Sequence, residues 1–238
     1  MKEEIPILLD KPLYDRGIEK WISWVPSRAP HGIIVGATGS GKTYFSKLLL
    51  AKLSKYMPDV ELLVCDYKGD DDFSFLSDKH NFYRYHECEK GLDNFYQRFL
   101  DRQSGADSSR TPLVLYFDEY ASFLNGIHDK KQQEQYKLKM SDILMMSRSY
   151  KMHVLIAQQR GDAEYFKTAR DNLVLRIIFG NPNPESAKML MADYLDKIIP
   201  DKGMGKGYMI DNENFYEILS CMVTDSAKLQ NAIRTIVR

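Results

Sequence analysis

The sequence predicts an α/β fold: a mostly parallel central sheet flanked by helices and followed by a C-terminal β-hairpin. Three observations carry this. Apolar runs alternate with helical patterns along the chain, the mark of successive βαβ units. Several runs, such as 113–117 and 153–157, are continuously apolar, as strands covered on both faces are. A glycine-rich segment joins one such strand directly to an amphipathic helix.

Candidate strands span 32–35, 60–65, 82–85, 113–117, 153–157 and 173–179. After Lys42, the residues Phe45, Leu48, Leu49, Leu53 and Tyr56 recur at helical spacing and form one apolar stripe. Tyr136, Met140, Ile143, Leu144 and Ser147 do the same over 130–150, with charges on the other face. Loops are marked by 68–72, 104–109 and 181–184, the last closing a strand and opening a helix at Glu185. Near the C-terminus, 207–210 and 215–219 flank the polar turn Asp211-Asn212-Glu213-Asn214 and read as the hairpin. The first 30 residues, with Trp21 and Trp24, read as a packed lead-in segment. The domain proper is expected over 31–238.

A chain of 238 residues suffices for one large domain with a substantial core. Its 33 basic residues balance 33 acidic ones, so any nucleic-acid surface must be local. No run of about 18 apolar residues occurs, so no membrane span is expected. The acidic start Met1-Lys2-Glu3-Glu4 does not read as a signal peptide. Cys65, Cys88 and Cys221 are scattered without metal-site spacing, as expected of reduced thiols in a cytoplasmic protein.

The glycine-rich segment Gly36-Ala37-Thr38-Gly39-Ser40-Gly41-Lys42-Thr43 matches the phosphate-loop pattern in full. Glycines allow the tight turn in which successive N–H groups face phosphate oxygens, and the helix N-terminus adds its positive end. Lys42 is expected on the β- and γ-phosphates of a nucleoside triphosphate, Thr43 on Mg²⁺, and the binding segment extends to Tyr44. About 75 residues downstream, the apolar run Leu113-Val114-Leu115-Tyr116-Phe117 ends in Asp118-Glu119, a Walker B arrangement. Asp118 is the second candidate Mg²⁺ ligand, and Glu119 the candidate general base. In 153–160, a glutamine at the tip of the strand can sense the γ-phosphate. Gln159 is the first candidate and Gln158 the second.

The ordered set of motifs resembles the FtsK/HerA class of P-loop motor ATPases, which includes DNA translocases and conjugative coupling proteins. The resemblance runs from residue 31 to about 210. It rests on the phosphate loop, Asp66-Tyr67-Lys68 after the second strand, and Phe117-Asp118-Glu119-Tyr120-Ala121. Further along it takes in Ser147-Arg148-Ser149-Tyr150-Lys151-Met152-His153 with Ala157-Gln158-Gln159-Arg160, Leu175-Arg176-Ile177-Ile178-Phe179 and Gly205-Lys206-Gly207-Tyr208-Met209. Gln158 stands where the family usually has Thr, and Gly161 where it has Pro.

The resemblance implies a three-layer, RecA-like P-loop NTPase that hydrolyses ATP with Mg²⁺. It also implies a homo-oligomeric ring, usually a hexamer, with ATP between subunits and a trans-acting arginine completing each site. Arg148 matches that arginine by position, and Arg176 is the second candidate. The family's membrane anchor, extra lobe and winged-helix DNA reader are not expected here, so the chain reads as a stand-alone motor core.

The leading expectation is an ATP-driven motor on double-stranded DNA, serving transfer, packaging or accessory replication of a mobile element or phage. The alternatives are an ATP-gated adaptor for a relaxase, replication or packaging protein, and a small-molecule kinase. A kinase would not need Glu119 and would carry an arginine-rich lid, and a GTPase lacks its base-reading motif here. Basic residues occur at Lys130, Lys131, Lys137 and Lys139, and at Arg160, Lys167 and Arg170. The first group is interleaved with Asp129, Glu134 and Asp142, as on a solvated helix face.

Overall fold

The computed structural model describes residues 4–199, 202–212 and 214–238. Met1–Glu3 at the acidic start and Glu213 in the hairpin turn therefore lie outside the described residues, as does the Lys167 side chain. Ten strands form one sheet: β1 Ile5–Asp10, β2 Trp21–Trp24, β3 His31–Gly36, β4 Glu61–Asp66, β5 Phe82–Arg84, β6 Leu113–Asp118, β7 Met152–Gln158, β8 Leu173–Phe179, β9 Lys206–Asp211 and β10 Asn214–Leu219. Their spatial order is β2-β1-β10-β9-β8-β3-β7-β6-β4-β5. The stretch from β8 to β5 is parallel throughout. β9, β10, β1 and β2 continue it antiparallel.

All six strands read from the sequence and both arms of the hairpin are present. The lead-in supplies two more, β1 and β2, which pair beyond the hairpin. β1 owes its strand character to pairing with β10, about 200 residues away, and β2 to pairing with β1, neither of which local periodicity reports.

Helices α1 Lys11–Tyr14, α2 Lys42–Tyr56, α3 Cys88–Ser104, α4 Tyr120–Gly126, α5 Lys130–Met146, α6 Pro184–Leu190 and α7 Ser226–Ile236 complete the elements used here. β6 shows how a continuously apolar run serves two layers. Val114 and Tyr116 face a core shared with Leu49, Leu50 and Leu53 of α2 and Ile233 and Ile236 of α7. Leu113, Leu115 and Phe117 face the opposite core, formed with Phe95 and Phe99 of α3 and Met140, Ile143 and Leu144 of α5. Each such side chain contributes about 1.5–3 kcal/mol on burial, so both faces lock the strand. The carboxyl ends of the parallel strands share one edge, where the crevice of an open α/β sheet receives its ligand.

Candidate nucleotide-binding site

The segment between β3 and α2 turns through two glycines in the left-handed region, Gly39 at φ +80° and Gly41 at φ +97°. A side chain at either position would strain the backbone. Gly41 occupies the helix N-cap of α2, where no side chain caps the first turn. The free N–H groups there are donors without an internal partner, suited to an anion. The turn is braced by Ser40 N–H donating to Ala37 O (3.1 Å) and by Gly205 N–H donating to Ser40 O (2.8 Å).

A cavity of ≈ 260 Å³ opens over this loop, lined among others by Thr38, Lys42, Thr43, Tyr44, Glu119 and Gln159. It also takes in Lys68, Asp72 and Met204, none of them a site candidate on sequence grounds. Met204 arrives because Gly205 packs on the phosphate loop. A Cβ on Gly41 would sit 3.0 Å from Gly205 N. The Tyr44 hydroxyl accepts from Val223 N–H, tying α2 to the segment after β10.

β6 delivers the two carboxylates to the same place. Lys42 Nζ lies 2.6 Å from Glu119 Oε1 and 3.9 Å from Asp118 Oδ1, all three side chains being nearly inaccessible to solvent. Glu119 adopts φ 59°, ψ 49°, a sparsely populated region for a non-glycine residue. Its N–H donates to Ala157 O at 2.7 Å, so the neighbouring strand holds the strained turn in place. Burial pushes the Asp118 carboxyl up to about 7. The nearby Glu119 and Asp66 act in the same direction, while Lys42 opposes the rise. Tyr116 donates its hydroxyl to Asp118 Oδ1 at 3.2 Å.

The hydroxyl and carboxylate oxygens at Thr43 and Asp118 are hard donors, suited to Mg²⁺. A buried carboxylate this reluctant to ionise is one that a divalent cation would relieve. Among the described residues, no three or more His, Cys, Asp or Glu side chains are grouped so as to hold a metal ion by themselves.

Gln158 and Gln159 part company at the end of β7. Gln159 borders the phosphate-loop cavity. Gln158 is buried, donating from Nε2 to Arg160 O at 2.5 Å, and both glutamines border an adjoining recess with Glu119, Asn125 and Tyr165.

The comparisons with known proteins agree with this geometry. A family model described as "Helicase HerA, central domain" matches residues 29–138. The FtsK domain-containing protein YdcQ of Bacillus subtilis (strain 168) is 26% identical over 222 residues, covering 85% of this chain and 45% of YdcQ. The chain is similar to the FtsK/HerA class of P-loop ATPases over these residues. It spans less than half the length of that curated relative.

Solved structures share the fold at low identity. The pCW3 conjugation coupling protein TcpA with ATPγS has TM-score 0.75 and 17% identity over 100% of this chain and 71% of that one. The cytoplasmic domain of the Thermomonospora curvata type VII secretion ATPase EccC has TM-score 0.72 and 17% identity over 99% and 31%. The genome packaging NTPase B204 of Sulfolobus turreted icosahedral virus 2, with AMP, has TM-score 0.55 and 15% identity over 80% and 96%.

Neither Arg148 nor Arg176 lines the phosphate-loop cavity. Arg148 is exposed in a 3₁₀ turn before β7. A seven-residue strand puts it about 20 Å from Gln159. Arg176 instead donates from Nε to Leu173 O (2.8 Å) and from Nη1 to Leu190 O (3.4 Å). Burial lowers its pKa. On α5, Lys139 pairs with Asp93 at 2.6 Å and Lys137 with Glu134 at 3.2 Å, in keeping with a solvated, ion-paired face.

Proposed function

We propose that this chain is the ATP-hydrolysing core of a motor that moves or couples double-stranded DNA, working as a homo-oligomeric ring, in the family's usual form a hexamer. The observation that carries the reading is Glu119 held against Lys42 inside the phosphate-loop cavity, at 2.6 Å and next to Asp118. A carboxylate placed there can take a proton from a water attacking the γ-phosphorus, as hydrolysis requires.

The ATPase domain is assigned to 31–238, with 1–30 as the lead-in. Residues 36–44 cradle the phosphates, and Lys42 leaves Glu119 for the β- and γ-oxygens. Thr43 and Asp118 would hold Mg²⁺, which when bound neutralises charge on the phosphates. Glu119 orients and deprotonates the attacking water, the P–O bond to the β-phosphate breaks, and ADP and phosphate leave. Gln159 senses the γ-phosphate from the tip of β7, a place Gln158 does not reach because its amide is tied to Arg160. Arg148 serves a neighbouring subunit's site. It is exposed at the far end of β7, whereas the guanidinium of Arg176 is already engaged within its own chain.

TcpA is a conjugation coupling protein and B204 a genome packaging NTPase. Those roles support a place for this chain in DNA transfer, packaging or accessory replication of a mobile element or phage. A relaxase, replication or packaging protein would be its partner. No helix among the described residues is long and apolar enough to cross a membrane, and the three cysteines are unpaired. Both fit the cytoplasm. ATP turnover is expected to rise with protein concentration and with added long duplex DNA. Turnover indifferent to any DNA across a wide range of salt would sink the motor reading and leave the ATP-gated adaptor.

A further inference from the structure

The loop after β4 projects a second lysine into the nucleotide cavity, and nothing in the scheme above employs it. β4 lies beside β6 in parallel register, with Asp66 opposite Asp118. The residues following Asp66 therefore emerge beside the Walker B carboxylates. Tyr67 N–H donates to Asp118 O at 3.3 Å, and Lys68, one residue on, lines the cavity together with Lys42, Thr43 and Glu119.

The backbone presenting Lys68 is fixed from several sides. The buried Asp66 accepts from Gly69 N–H at 2.9 Å, closing an Asx turn around Tyr67 and Lys68. Gly69 has φ +66°, and a Cβ there would lie 2.2 Å from the Tyr85 ring, so no other residue fits without displacing that ring. The Tyr85 hydroxyl donates to Gly69 O at 2.8 Å, and Arg84 Nη2 donates to Asp70 O at 3.0 Å. Lys47 of α2 reaches Asp72 Oδ1 at 2.7 Å and binds the loop to the helix that starts at the phosphate loop. Against this fixed backbone the Lys68 side chain is nearly half exposed, its ammonium resting 2.5 Å from Asp70 Oδ2. An ion pair this open to solvent is weak, so a triphosphate can draw the ammonium away from it.

We infer that Lys68 is a second phosphate-binding lysine, which leaves Asp70 to contact the γ-phosphate of bound ATP. The γ end is chosen by direction. The phosphate-loop amides and the α2 N-terminus receive the phosphates from one side, and Lys68 enters from the side of Asp118 and Glu119, where the terminal phosphoryl group must face its attacking water. Lys42 and Lys68, which line the same cavity, then both contact that group.

The inference rests on this cavity being the nucleotide site, and the test separates the two. Binding of a non-hydrolysable ATP analogue and of ADP, each with Mg²⁺, is measured by calorimetry for the native chain, Lys68→Met, Lys68→Arg and Lys42→Ala. Lys68→Met is expected to weaken the analogue about tenfold while ADP stays within twofold, and Lys68→Arg to recover most of the loss. An analogue bound equally well by Lys68→Met, or a loss shared equally with ADP, overturns the γ-phosphate contact. Native affinity in Lys42→Ala overturns the nucleotide site itself.

Discussion

On the proposed reading of the site, Glu119 competes with ATP for Lys42. Before phosphate can bind, a 2.6 Å ion pair between two nearly inaccessible side chains has to open. At an effective dielectric of about 20, its gross Coulomb attraction is about 6 kcal/mol. Desolvation offsets most of that, leaving a net of about 1–2 kcal/mol that ATP must overcome. Glu119→Gln keeps the shape and an acceptor for Lys42 but removes the charge. The substitution is therefore expected to tighten binding of a non-hydrolysable ATP analogue about 5–30-fold, while turnover falls about 10²–10⁴-fold for want of the base. Calorimetric titration alongside a phosphate-release assay reads both. Turnover lost with affinity unchanged or weakened would show that the pair does not hold Lys42 back. Native turnover would remove Glu119 from the chemistry altogether.

Two further predictions concern the scaffold. His31 and His153 are buried at the other end of the sheet, and burial lowers their pKa values to about 3 and about 4. Both stay neutral when folded, so the stability they confer is complete above pH 6.5 and is lost as pH falls towards those values. The depressed His153 accounts for about 2 kcal/mol of loss between pH 7.5 and pH 5. Asp118, with its raised pKa, has the opposite sign and is common to native and variant. Urea unfolding of His153→Gln should therefore show an acid decline about 2 kcal/mol shallower than native, and equal slopes would refute the assignment. Gly207 of β9 faces β8 so closely that a Cβ would fall 1.9 Å from Ile178 O. Gly207→Ala is expected to cost about 3 kcal/mol in the same assay, and a loss below about 0.5 kcal/mol would mean the strands part freely.

The parallel core and the two chemical motifs are legible from the sequence because their signals are local. A short, continuously apolar run such as 113–117, rich in aliphatic and aromatic residues, reads as a strand covered on both faces. A glycine pattern ending in Lys42-Thr43 encodes its own turn, and Asp118-Glu119 marks a strand end. Local signals say nothing about which chain ends meet. The pairing of β1 with β10, the packing of Gly205 on Ser40 and the consequent arrival of Met204 over the phosphate loop all join segments more than 150 residues apart. Lys68 stood in a motif noted for its resemblance alone, and gained a position only when β4 was found beside β6. Gln158 and Gln159 are adjacent and chemically identical, and strand alternation points one inward and leaves the other at the cavity. Arg148 and Arg176 are likewise equal as letters, but burial ties one to carbonyls of its own chain and leaves the other free at the surface. The sequence by itself determined the phosphate loop and the Asp118-Glu119 strand end, because those motifs are written in contiguous residues. The tertiary structure decided which side chains share the cavity, because long-range strand order, and no local preference, brings them together.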